Sequence, residues 1–133
     1  MPKPINFRFD HIHINCTDLA ASEHWFIEGM GAEVAERFES FGVPATHLNF
    51  AGLRVLLRAA RPGEQLSAGP SPRFGEDHFG VKVDDLDEAA AELKRRGVAF
   101  DMEPRDFGPG LRIAFVRGPD NVRIELLERT EQS

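Results

Sequence analysis

The sequence predicts an α+β fold: two βαβββ modules whose eight strands make a cupped mixed sheet with the helices outside. Three observations carry this reading. The stretch "EDHFGVKVDDL" (76–86) repeats "FDHIHINCTDL" (9–19) at a constant offset of 67, which sets Asp77 and His78 on Asp10 and His11, Val81 on Ile14, and Asp85 and Leu86 on Asp18 and Leu19. Each copy leads into a helical pattern that ends at a glycine. Strand-like stretches then complete each half.

In chain order, "HIHINC" opens the first module as a strand. After Asp18-Leu19, "AASEHWFIEGMG" spaces Ala21, Trp25 and Met30 along one helical face, and Gly31 stops the helix. The stretches "AEVAERFE", "ATHLNF" and "LRVLLRA" read as three strands. In the second module "HFGVKV" is the opening strand, "DEAAAELKRRGV" is rich in strong helix formers up to Gly97, and "VAFDME", "LRIAFVR" and "VRIELLE" are its strands. Between the halves, "ARPGEQLSAGPSPRFGE" gathers Pro and Gly and reads as a linker. A single domain over 1–133 follows, with module 1 at about 6–60, the linker at about 61–75 and module 2 at about 76–129. Each four-stranded unit has one apolar face to bury, so the two must stack or join edges.

Composition narrows the partners. Twenty-two acidic residues against 16 basic ones give a net charge of -6, and no Lys/Arg run suits a phosphate backbone, so nucleic acid is not expected. No apolar run approaches the ~20 residues that cross a bilayer, so no membrane partner is expected. The N-terminal stretch lacks an apolar signal segment and the lone Cys16 has no internal partner, so the expected location is cytoplasmic.

Side chains of one strand parity should line the cup. His11 and His78 hold matched places, so approximate two-fold symmetry brings them together near the cup axis. Glu125 is a carboxylate between Ile124 and Leu126, and burying it unpaired would be costly. Two imidazoles and a carboxylate form a set suited to iron(II) or another divalent metal ion (Fe, Mn, Ni or Zn), with positions left for substrate or water. The competing reading of each histidine is a hydrogen-bonded structural residue.

With "DHI" opening one half, "DHFGVKVDDLD" the other and "RIAFVRGPDNVRIELLE" closing, the chain resembles the vicinal oxygen chelate superfamily, which includes glyoxalase I, methylmalonyl-CoA epimerase, extradiol dioxygenases, fosfomycin-modifying enzymes and bleomycin-binding proteins. The resemblance covers nearly the whole chain and implies that His11, His78 and Glu125 are metal ligands. Leu56 stands where the pattern of glyoxalase I has a second Glu and that of the epimerase a Gln, which points away from authentic lactoylglutathione lyase activity. The chain also has no Tyr, and Gly52 and Leu53 lie near the place of a further dioxygenase His, which points away from ordinary catechol cleavage.

Other residues have two readings each. His13 shares a face with His11 about 6 to 7 Å along the strand; it is either an acid–base group or substrate partner beside the metal, or a structural histidine. His47 either replaces the missing ligand or sits at an edge, and His24 belongs to helix surface. Arg54 and Arg123, matched at an offset of 69, either grip an anionic substrate or pair with internal acids. Phe50, Phe79 and Phe115 either wall the cavity or belong to the core. The loop at Gly108, Pro109 and Gly110 is either a lid or a tight connection.

The expected function is a divalent-metal-dependent enzyme acting on a small, oxygen-rich, anionic substrate by lyase, isomerase, epimerase or dioxygenase chemistry, with Glu125 and His13 catalytic. A metal-free sequestering protein of the bleomycin-binding type is the alternative from another class. A homodimer is expected, because small members of the superfamily commonly pair and an open sheet edge needs cover.

Overall fold

A computed structural model of the chain describes Pro4, Asn6 and residues 9–67 and 77–130. The greater part of the expected linker, at 68–75, lies outside the described residues, as does Glu76. Module 1 runs β1 (Ile12–Cys16), α1 (Leu19–His24), a π-helical turn (Trp25–Gly29), β2 (Glu33–Ser40), β3 (Val43–Phe50) and β4 (Leu53–Ala59). Module 2 runs β5 (Phe79–Lys82), α2 (Leu86–Arg95), β6 (Ala99–Asp106), β7 (Leu111–Arg117), a short 3-10 turn (Pro119–Asn121) and β8 (Arg123–Arg129).

The repeat in sequence is a repeat in local chemistry. Asp18 and Asp85 cap the two helices, their side chains accepting from the backbone N–H of Ala21 and Glu88 at 3.0 Å each. Gly31 (φ 81°) and Gly97 (φ 84°) end the helical stretches in the left-handed region, as the sequence predicts. The eight strands form two hydrogen-bonded sheets of four, ordered β1-β4-β3-β2 and β5-β8-β7-β6. In both, the opening strand pairs in parallel with the last, and the other pairs are antiparallel.

One apolar cluster joins the modules. Leu48, Phe50, Val55 and Leu57 of the first sheet share it with Ala114, Val116, Ile124 and Leu126 of the second, and Phe26, Leu86 and Leu93 enter from the helical segments. Burying these side chains supplies most of the driving force for docking the halves. Three polar or steric fits set the docking angle. Trp25 lies flat against Gly118, where an added Cβ would stand 2.8 Å from the indole. Thr17 donates from its backbone N–H and its Oγ1 to Asp120 (3.1 and 2.7 Å), and Arg96 Nη1 donates to the Gly29 carbonyl (3.1 Å). Asp120 can present its carboxylate there because it and Asn121 adopt left-handed backbone (φ 59° and 58°), which Asp and Asn tolerate better than most residues.

Sharing a core leaves the opposite face of each sheet outside it. His13, Asn15, Arg54, Leu56 and His47 are on that face of the first sheet; Gly80, Arg123, Glu125, Phe115 and Leu127 are on that face of the second, as strand parity and register require. The loop at Gly108 to Gly110 is a tight β6–β7 connection closed by hydrogen bonds between Phe107 and Leu111 and between Leu111 and Gly108.

Candidate metal centre

In module 2, register sets Glu125 between Gly80 on β5 and Phe115 on β7. His78 stands one residue before β5 and turns its ring over this row. Its Nδ1 bonds Asp77 Oδ2 at 2.7 Å and its Nε2 bonds Glu125 Oε1 at 3.1 Å. The Phe115 ring meets the imidazole edge to face at 4.8 Å. Arg123 braces the group: Nη1 donates to Asp77 Oδ2 (3.0 Å), Nε donates to Asp101 Oδ2 (3.2 Å), and the guanidinium lies 4.2 Å from the Phe115 ring centroid. Gly80 keeps room beside Glu125, because a Cβ there would come within 2.9 Å of a Leu127 methyl and 3.7 Å of Glu125 Cβ.

Module 1 presents the matching half. His11 Nδ1 bonds Asp10 Oδ2 at 2.7 Å, as His78 bonds Asp77. The hydrogen bond with His11 holds the Asp10 carboxyl below the usual aspartate value, against the opposing effect of desolvation and with lesser help from nearby positive charge such as Arg54. The row that corresponds to Gly80, Glu125 and Phe115 is His13, Leu56 and His47. His13 Nε2 bonds Asn15 Oδ1 at 2.8 Å; the same oxygen accepts from Arg58 Nε (3.1 Å) and Nη2 (2.7 Å), and Arg58 is buried and ion-paired to Glu64 (3.1 Å). Because Asn15 Oδ1 only accepts, His13 Nε2 is the donor, which leaves Nδ1 as the nitrogen able to take a proton.

The chemistry of these donors fits a divalent cation. A divalent cation between His78 Nε2 and the Glu125 carboxylate would replace the hydrogen bond that now joins them. Anchoring Nδ1 to a carboxylate while Nε2 faces outward is the usual support of a metal-bound histidine. His78 and Glu125 would hold the ion from module 2, and His11 is oriented in the same way in module 1. The chain does not bring all three together: among the described residues no three His, Cys, Asp or Glu side chains gather as a metal site.

The structure places the remaining candidates plainly. Phe115 belongs to the His78 group, whereas Phe50 is buried in the core against Phe26 (5.9 Å) and Phe79 packs on that core. Arg123 is held by two aspartates, while Arg54 is exposed and makes no ion pair among the described residues. His24 is exposed at the end of α1, and Cys16 is buried, its thiol pushed up chiefly by that burial, which leaves it inert. Sequence reasoning missed Asp10, Asp77 and Asp101 as supports. The signal for the first two was present, since an Asp precedes His at both copies of the repeat.

Comparison with known proteins agrees with this architecture. Residues 8–126 match the family model described as the Glyoxalase/Bleomycin resistance protein/Dioxygenase superfamily. A lactoylglutathione lyase of Schizosaccharomyces pombe is 28% identical over 94% of the chain, and the chain spans only 48% of that protein. The uncharacterized protein YwkD of Bacillus subtilis is 26% identical over 90% of the chain and 94% of its own length. Among solved structures, a glyoxalase family protein from Bacillus cereus superposes with a TM-score of 0.80 at 19% identity, covering 98% of this chain and 99% of that one. A glyoxalase I mutant from Zea mays superposes at 0.77 with 23% identity, covering 93% of this chain and 45% of that one. These likenesses show the shared fold, and with the match over residues 8–126 they establish that the chain belongs to the glyoxalase/bleomycin resistance protein/dioxygenase superfamily.

Proposed function

We propose that this protein is a divalent-metal-dependent enzyme acting on a small, oxygen-rich anion, with His78 and Glu125 of one subunit and His11 of a second copy as the metal ligands. The observation that carries the reading is the His78 group: Nδ1 fixed by Asp77, Nε2 against Glu125 at 3.1 Å, and Arg123 bracing Asp77. The separation of the two half-sites within one chain is the reason for a homodimer.

When bound, the metal would hold two neighbouring substrate oxygens and stabilise an oxyanion, which serves lyase, isomerase, epimerase or, with iron(II), dioxygenase chemistry. The chain supplies the rest. Glu125 or His13 Nδ1 takes a proton from the substrate and returns it, and Asn15 with Arg58 holds the His13 ring in the required tautomer. Arg54, unpaired among the described residues, is the primary grip on an anionic group. Arg123 adds positive charge on the opposite side while keeping Asp77, and through it His78, in place. Phe115 covers the His78 ring and keeps that side of the site apolar. Leu56 takes the place of the second carboxylate of glyoxalase I, so lactoylglutathione is not the proposed substrate.

Metal analysis of protein purified without chelators, beside light scattering, tests this. The expected result is one metal per subunit in a dimer, strongly reduced in Glu125→Gln. Mixing and refolding His11→Ala with Glu125→Gln should restore one intact site of the two in a mixed dimer. A metal-free native protein would favour the alternative of a metal-free sequestering protein, and unchanged metal content in Glu125→Gln would overturn the proposed ligand set.

A further inference from the structure

We propose that His47 fills the coordination position that Leu56 cannot, so that the metal is held by three imidazoles and one carboxylate. This rests on the metal-centre reading above and adds a ligand to it.

The argument begins with register. His47 on β3 pairs with Leu56 on β4, which pairs with His13 on β1, so the three side chains stand in one row on the His11 side of the sheet. The matched row in module 2 is Phe115, Glu125 and Gly80. In that row the Phe115 ring reaches across its neighbouring strand to within 4.8 Å of the His78 ring. A planar ring at this position can therefore reach the histidine that precedes the opening strand. His47 has the same place relative to His11.

The ring is also supported as a ligand would be. Phe38 packs on it at 4.8 Å, and its Nδ1 is buried with no hydrogen-bond partner, 3.7 Å from Glu36 Oε1. Leaving a buried ring nitrogen unmet costs about 1–3 kcal/mol. A shift of roughly half an ångström would close the bond to Glu36. His11, His78 and His47 then share one pattern, a carboxylate at Nδ1 and Nε2 left for a metal. A bond to a cation at Nε2 makes the Nδ1–H a stronger donor to Glu36, which removes the cost that the unbound ring bears. Leu56 carries no donor atom, so the row's only nitrogen available toward His11 from β3 and β4 is that of His47.

Stripped protein titrated with cobalt(II) tests the inference without a substrate. X-ray absorption of the cobalt-loaded protein should count three imidazoles, and the visible bands should indicate four protein ligands. His47→Gln should lose one imidazole, change the visible spectrum and bind cobalt at least 10-fold more weakly. Should that variant fold poorly, His47→Phe copies the residue at the matched position of module 2 and is expected to fold while showing the same spectral loss. Glu36→Gln should weaken binding less and keep three imidazoles. Cobalt bound with unchanged spectrum and affinity in His47→Gln or His47→Phe overturns the inference and leaves the three-ligand centre standing. If the unaltered protein binds no cobalt, the underlying reading and this inference both fall.

Discussion

Replacing Gly118 by Ala should test how the two modules are locked together. The new Cβ would stand 2.8 Å from Cδ2 and Cε2 of Trp25 and 2.9 Å from Cε3, atoms in the middle of a rigid ring. The indole has little freedom to retreat, since Phe26 meets it edge-on at 4.9 Å. Overpacking of this kind costs about 1–3 kcal/mol. The loss of a glycine offsets part of it, because alanine reduces the entropy of the unfolded chain by about 0.4–1 kcal/mol, and Gly118 has an ordinary negative φ of -105°. The net expectation is a destabilisation of about 1–2 kcal/mol, a fall in Tm of roughly 3–10 °C for a chain of this size. Urea unfolding at fixed protein concentration gives the free energy, and repeating the change in a Trp25→Leu background gives the coupling. In that background the cost should disappear. A Gly118→Ala protein as stable as the parent, or one whose cost is the same without the indole, would refute the proposed lock.

Further outcomes follow from other contacts. Arg123→Ala should weaken metal binding about 10- to 100-fold with Glu125 intact, since it releases Asp77 and thus His78; equilibrium dialysis with zinc measures it. Arg54→Ala should leave metal binding unchanged and raise the Michaelis constant for an anionic substrate more than it lowers turnover, which a screen of 2-oxo acids, hydroxy acids, acyl-CoA esters and catechols would reveal. Arg37, and then Thr46, hold the Glu23 carboxyl below its ordinary value of 4.5. The stability this gives is present above that value and is lost as pH falls through the lower folded value, so urea midpoints of parent and Glu23→Gln should converge in acid and separate near neutrality. Leu57→Ala, at a fully buried position of the shared core, should cost about 2–5 kcal/mol by the same unfolding measurement.

Much of the fold was legible because the repeat is written in residues with local jobs. Asp18 and Asp85 cap, Gly31 and Gly97 stop, and alternating apolar residues choose the core face, all over a few positions of chain. The π-helical turn at Trp25–Gly29 was not legible: the residues there suit an α-helix, and the turn serves a packing contact with Gly118, 93 positions from Trp25 in the sequence. At the site, the matched Asp-His pairs and the carboxylate of Glu125 could be found by alignment of the halves. The bonds of Arg123 to Asp77 and Asp101 could not, because they join β8 to β6 and to the segment before β5, elements whose order appears only in the sheets. Nor does strand parity say whether the helix-covered faces or the open faces of the two modules meet within one chain.

The division of the eight strands into two sheets also bears on aggregation, since two sheets have four edges where one has two. The β2 and β6 edges are poor templates for a foreign strand. β2 has a register break between Val34 and Glu36, while β6 has breaks between Phe100 and Met102 and between Met102 and Arg105, with Pro104 removing a donor. Both carry charged side chains along their length, which further discourages stacking. The other edges, β1 and β5, are regular but only five and four residues long, too short to seed an extended cross-β assembly. Opening the sheet into four edges therefore adds little fibril risk, and keeps the least protected backbone beside the two histidines.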